Sequence, residues 1–124
     1  MKEGHGQYKY ANGEIFDGTF SQDKKNGKGT YIYKDGAKYT GNFIDDIKEG
    51  EATFNYPDGS RYTGMFKNGR RNGRGTFNYT NGDVYEGNFI ENLRHGFGEY
   101  TIKGKSKISG NWIDDKPEDA KRIN

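Results

Sequence analysis

The sequence predicts an all-β fold: an elongated, single-layer antiparallel β-meander of five β-hairpins. Three observations predict it. Glycines and aromatics recur every 23 residues, each recurrence alternates with period two, and an Asx-Gly dipeptide interrupts the alternation in the first four copies. All but Gly69 and Gly104 of the 20 glycines, and every aromatic except Phe97, fall on eight phases of that period. Chance does not produce this. A period of 20–50 residues means one supersecondary unit stacked on its own copies.

The first strand of each unit starts at Gly4, Gly27, Gly50, Gly73 and Gly96. It continues into an aromatic pair: Tyr8/Tyr10, Tyr31/Tyr33, Phe54/Tyr56, Phe77/Tyr79, and in the last copy Tyr100 with Ile102. The turn follows at Asn12-Gly13, Asp35-Gly36, Asp58-Gly59 and Asn81-Gly82, dipeptides that tolerate the positive φ of a tight hairpin. Pro57 presets φ ahead of the third. The second strand then reads aromatic-x-Gly-x-aromatic: Phe16-Gly18-Phe20, Tyr39-Gly41-Phe43, Tyr62-Gly64-Phe66, Tyr85-Gly87-Phe89, with a weaker Ile108-Gly110-Trp112. Period-two alternation shows one face to a core and the other to water. Glycine alternating with aromatics on one face leaves room for a ring to lie flat on the backbone, which offsets the weakness of a strand glycine. Six-residue polar stretches such as that between Phe43 and Gly50 are expected to join the hairpins as looser loops. Ten strands at about 4.8 Å make a twisted sheet roughly 45 Å long.

The repeat array therefore spans residues 4–112, and residues 113–124 are expected to form a cap or a flexible tail. Asp114, Asp115, Lys116 and Pro117 read as a stop that discourages strand pairing there. The first strand, from Gly4 to Tyr10, is expected to leave an open edge, and a homodimer through that edge is the corresponding partner expectation.

Composition narrows the function. Leu, Ile, Val and Phe make up only about 15% of the chain, yet the formal net charge is just +2, so aromatics rather than disorder account for the deficit. Without cysteine there is neither a disulfide framework nor a thiolate metal site. No apolar run reaches the roughly 18 residues of a membrane helix and no signal-peptide core follows Met1, which sets the expected compartment as cytoplasmic. His5 and His95 fall in different repeats, on a polar strand face and beside an inter-hairpin connection. Asp45-Asp46 and Asp114-Asp115 stand three repeats apart, roughly 30 Å, too far for a carboxylate pair. No catalytic constellation is legible, and the chain is expected to be no enzyme and to need no cofactor or metal.

Tyr39-Thr40-Gly41-Asn42-Phe43 through Gly50, and above all Tyr85-Glu86-Gly87-Asn88-Phe89-Ile90-Glu91-Asn92-Leu93-Arg94-His95-Gly96-Phe97-Gly98, closely resemble the MORN repeat (membrane occupation and recognition nexus). The resemblance covers about residues 4–112. It departs at Ala52, which replaces a glycine, and in the fifth copy, where the turn glycine moves to Gly104 and Ile102 and Ile108 replace aromatics. The resemblance implies a scaffold in ciliary, cytoskeletal or membrane-associated assemblies, or an accessory array beside a catalytic domain.

Two sites are expected. Tyr33, Tyr56 and Tyr79, with Tyr39, Tyr62 and Tyr85, form two rows flanking the Asx-Gly turns, and their hydroxyls are expected to meet a peptide or helix of a partner protein. The alternative is a peripheral membrane contact through Lys24, Lys25, Arg70 and Arg71 to anionic phospholipid. Charge argues against one continuous basic stripe: loop windows 22–28 and 68–74 are basic, 45–51 is acidic and 91–97 is neutral. Nucleic acid is not an expected partner, because the positive charge is broken and the rings are committed to packing.

Overall fold

The computed structural model describes residues 2–123. The described residues form one sheet of eleven strands in sequential order, every neighbour antiparallel. The strands are β1 (Gly4–Lys9), β2 (Ile15–Ser21), β3 (Lys24–Ile32), β4 (Lys38–Ile44), β5 (Ile47–Asn55), β6 (Arg61–Lys67), β7 (Arg70–Asn78), β8 (Val84–Ile90), β9 (Leu93–Thr101), β10 (Lys107–Ile113) and β11 (Lys116–Ile123). The all-β meander of hairpins is what the sequence predicts. The strand count is eleven rather than ten.

The eleventh strand corrects the reading of Asp114 to Pro117. Asp114 and Asp115 form a turn with φ of 48° and 72°, and Lys116 opens β11, which pairs with β10 from Ile113↔Lys116 to Lys107↔Ile123. Proline's missing N–H is tolerable on a strand that, among the described residues, pairs on one side only. The register shifts beside it, between Asn111 and Trp112.

The two kinds of connection are also reversed in tightness. Between repeats the chain turns on two residues only: Gln22-Asp23, Asp45-Asp46, Asn68-Gly69, Glu91-Asn92 and Asp114-Asp115, all with positive φ. That is the geometry of a two-residue type I′ hairpin, whose twist matches the strands. Within repeats, only the glycine of each Asx-Gly pair has positive φ, 94° at Gly13 and 96° at Gly36. The Asx side chain accepts from the backbone two residues on instead, as Asp35 Oδ1 does from the Ala37 N–H at 2.9 Å. These are three-residue loops closed by Gly36 N–H to Tyr33 C=O at 3.0 Å.

A bulge follows each inter-repeat turn. Where β2 advances from Gly18 to Phe20, its partner advances from Gly29 to Lys25, and the same shift recurs at Gly41/Phe43, Gly64/Phe66 and Gly87/Phe89. The extra residues centre on the glycine that opens each repeat, such as Gly27 at φ 82°.

The core is a single layer of rings on one face. Phe16, Tyr39, Tyr62 and Tyr85 are fully buried. Phe16, Tyr62 and Tyr85 lie over backbone glycines: a Cβ added at Gly75 would sit 2.4 Å from Tyr62 Cε1, one at Gly29 2.5 Å from Phe16 Cζ, and one at Gly98 2.1 Å from the Tyr85 hydroxyl. The rings also meet one another edge-on across repeats, Phe16–Phe43 at 5.3 Å, Tyr39–Phe66 at 5.2 Å, Tyr62–Phe89 at 5.1 Å and Tyr85–Trp112 at 5.5 Å. No second sheet or helix covers them among the described residues, so each repeat buries its rings only through the next.

Candidate partner-binding face

The tyrosine rows are inward-facing rather than free. Tyr39, Tyr62 and Tyr85 are fully buried and donate to backbone carbonyls three residues on: Asn42 at 2.6 Å, Met65 at 2.8 Å and Asn88 at 3.0 Å. Their hydroxyls close the ring onto its own strand and cannot reach a partner. Tyr33, Tyr56 and Tyr79 are half-buried; the Tyr33 hydroxyl accepts from Lys48 Nζ at 2.9 Å and the Tyr56 hydroxyl from Arg71 Nη1 at 3.1 Å, and the positive charge beside Tyr79 is that of Arg94. Burial pushes the Tyr33, Tyr62 and Tyr85 hydroxyls up to about 12.

Those cations form a phase of their own. Lys2, Lys25, Lys48, Arg71 and Arg94 recur at 23-residue intervals, and each extends over the ring layer. Lys25 Nζ lies 5.4–5.9 Å from the centroids of Tyr31, Phe16, Tyr10 and Phe43. Arg71 Cζ lies 5.1–5.9 Å from Phe77, Phe89, Tyr56 and Tyr62. Cations over ring faces are held by the quadrupole.

The next turn completes the arrangement. Asp46 accepts the Lys25 N–H at 2.8 Å and pairs with its ammonium at 3.3 Å. Asp115 does the same for Arg94, and Asn92 accepts the Arg71 N–H at 2.8 Å. Burial works against the Asp46 carboxylate, but the Lys25 N–H and ammonium outweigh it and hold it below its ordinary value.

The lipid-contact set is therefore divided. Lys25 and Arg71 belong to the ring layer and its turn partners. Lys24 and Arg70 remain exposed at the turn edge, with Arg70 Nη1 3.6 Å from Glu91 Oε1. The four residues do not present one surface.

The opposite face is the open one. The register aligns Asp17, Thr30, Thr40, Thr53, Thr63, Thr76, Glu86, Glu99 and Ser109 in one row across nine strands, with five consecutive threonines at its centre. Small side chains on this face and rings on the other leave it hollow. A groove of about 780 Å³ crosses β1 to β6, lined by His5, Asp17, Lys28, Thr30, Thr40, Asn42, Glu51, Thr53 and Thr63. His5 Nε2 meets Asp17 Oδ1 at 2.9 Å at its end. His95, far along the array, faces Asp114 at 3.8 Å.

Among the described residues no three or more His, Cys, Asp or Glu side chains gather as a metal site, and no helix is long and apolar enough to cross a membrane. What the face offers is hydroxyls, amides and charges on a rigid strand lattice. The threonine row has a regular phase in the sequence, but threonine on a polar strand face gives no signal distinct from solvation, so the row is not legible there.

Comparison with protein-family models matches the MORN repeat at residues 1–15, 16–38, 39–61, 62–84 and 85–105. The family unit is cut before the aromatic-x-Gly strand, so each inner unit contains one two-residue turn and one Asx-Gly loop. No curated protein matches the chain. With five units over most of its length, this chain belongs to the MORN-repeat family.

Proposed function

We propose that the chain is a non-enzymatic scaffold that holds a segment of a partner protein on its threonine-bearing face. One observation carries the reading: the groove across six strands lies on the face that the fold leaves uncovered, while the aromatic face is closed by its own cations. Its hydroxyls and amides stand on strands whose backbone groups are already paired, so a partner segment meets a pre-organised surface. MORN arrays serve scaffolding and membrane-binding roles, and a cytoskeletal or ciliary assembly in the cytoplasm is the setting we propose for this one.

The test is affinity capture compared between the native chain and a Thr40→Tyr/Thr63→Tyr variant, which fills the groove without changing its charge or touching the rings. A specific partner retained by the native chain and lost by the variant is the expected outcome. Liposome co-sedimentation is the opposing arm. Strong binding to anionic vesicles at physiological salt, abolished by Lys24→Glu/Arg70→Glu, would replace the scaffold with a membrane-targeting module.

A further inference from the structure

The threonine row runs through a patch of cations that the fold does not use. Lys28 and Arg74 flank it on one side, Lys38 and Arg61 on the other, with Lys38, Asn55 and Arg61 directly cross-paired over three strands. All four are exposed, and none forms an ion pair among the described residues. Across β3 to β7, the threonine row and its two flanking rows carry a single carboxylate, Glu51.

The carboxylates that bound the patch are different. Asp17 pairs with His5 at 2.9 Å, Glu86 lies 3.5 Å from the Thr76 hydroxyl, and Glu99 meets Lys107 at 3.7 Å. The ends of the row are satisfied from within the sheet, and its positive centre is not.

We infer that this centre is the docking site for an acidic protein segment, a reading that rests on the scaffold function above and names the chemistry of its partner. The segment lies across the strands, along the groove, with its carboxylates toward Lys28, Lys38, Arg61 and Arg74 and its remaining polar groups toward the threonine hydroxyls. Thr30 to Thr76 spans four strand spacings, about 19 Å, the length of a helix of about 13 residues. Asp17 and Glu86 bound the row at about 29 Å and repel a longer anion. That boundary, Glu51 in the middle, and the confinement of nearly all rings to the other face disfavour a nucleic-acid strand, which needs continuous positive charge and stacking platforms.

The experiment uses a fluorescein-labelled helical peptide with glutamates on one face, its glutamine counterpart and a short single-stranded DNA, each titrated by anisotropy against the full chain. The glutamate peptide is expected to bind at least about ten-fold more tightly than the glutamine one, and to weaken as salt rises from about 0.05 to about 0.5 M. Amide shifts should map to Thr30, Thr40, Thr53 and Thr63. Lys38→Glu/Arg61→Glu, both exposed and checked by thermal melt, should lose that preference by about ten-fold and bind a lysine version of the peptide instead. Lys103→Glu, in a turn away from the row, should change nothing.

Equal binding of the glutamate and glutamine peptides on the threonine row overturns the acidic partner while leaving the scaffold reading in place. Tighter binding of the DNA, shifts confined to other parts of the sheet, or no saturation by the glutamate peptide up to about 1 mM also overturns it.

Discussion

Lys48 donates from Nζ to the Tyr33 hydroxyl at 2.9 Å and forms no ion pair among the described residues, whereas Lys25, one repeat earlier, is paired with Asp46. The difference lies in the following turn. Asp46, Asn92 and Asp115 occupy the phase at which the third inter-repeat turn carries Gly69. Lys48 is consequently a half-buried cation among Tyr33, Tyr39 and Phe54 without a carboxylate, and its partial burial lowers the ammonium pKa.

Gly69→Asp should therefore stabilise the array. The backbone there has φ 80°, close to the 73° of Asp46, so aspartate takes up a conformation it already uses elsewhere in this chain. A Cβ would meet only Lys48 Cε at 4.0 Å. The new carboxylate would accept the Lys48 N–H and pair with its ammonium, worth about 1.5–3 kcal/mol before the cost of left-handed backbone, about 1–2 kcal/mol. A net gain of about 0.5–1 kcal/mol should appear as a higher urea midpoint. A lower midpoint would mean that the rings and Tyr33 already satisfy Lys48.

The strand glycines make a second case. At Gly75 an added methyl would lie 2.4 Å from the Tyr62 ring and displace a fully buried side chain, so Gly75→Ala should cost about 1–3 kcal/mol. Ala52 holds the same phase in the preceding repeat and faces Gly41, whose own Cβ would lie 2.2 Å from Ala52 Cβ. One methyl fits between those strands and two do not. Ala52→Gly should thus cost only about 0.5–1 kcal/mol, from backbone entropy, and paired urea titrations of the two variants should show the larger loss at Gly75.

These positions show what the sequence discloses and what it hides. Ring and glycine phases are legible because only small residues tolerate a ring against the backbone, so shape leaves a period. The cation phase of Lys2, Lys25, Lys48, Arg71 and Arg94 is as regular, but charge alone assigns such residues to water. Their place over the rings follows from cation–π geometry and snorkelling stems that composition does not express. The same confusion makes Tyr39, Tyr62 and Tyr85 read as contact residues: an aromatic row looks alike from sequence whether its hydroxyls meet a partner or the chain's own carbonyls. Turn chemistry misleads in the opposite direction. Asp45-Asp46 adopts positive φ at both residues without the glycine that usually announces it, while Asp35-Gly36 uses positive φ once.

Stability should also be graded along the array. Phe66 contacts Tyr39 and Tyr62 at 5.2 and 5.3 Å, rings from two repeats, whereas among the described residues Phe20 has one ring neighbour, Phe16 at 5.1 Å, with Lys2 Nζ 5.7 Å from its centroid. Both are 5% exposed, so burial alone predicts equal losses. Nearest-neighbour coupling predicts otherwise: Phe66→Ala should cost about 3–5 kcal/mol and Phe20→Ala clearly less. Matching losses in urea titrations would show that the sheet unfolds without regard to repeat position.

Alkaline unfolding supplies the last prediction. Unfolded tyrosine ionises near 10, whereas burial holds Tyr33, Tyr62 and Tyr85 up at about 12. The folded chain thus keeps protons that the unfolded chain releases, so their contribution is whole below about pH 10 and is lost as pH rises through about 12. Lys48 runs the other way, since neutralising a half-buried ammonium on the way up removes a cost of folding. Tyr31, Tyr39, Tyr56, Tyr79 and Tyr100 are raised by burial too, so the tyrosines outweigh the lysine and the urea midpoint should fall steeply above about pH 10. Absorbance of tyrosinate should rise together with unfolding rather than before it. Tyr62→Phe should lower stability at neutral pH by about 1 kcal/mol, through the lost bond to the Met65 carbonyl, and should flatten the alkaline slope. Tyrosinate appearing near pH 10 in a chain that remains folded would place these hydroxyls in water, and the closed aromatic face with them.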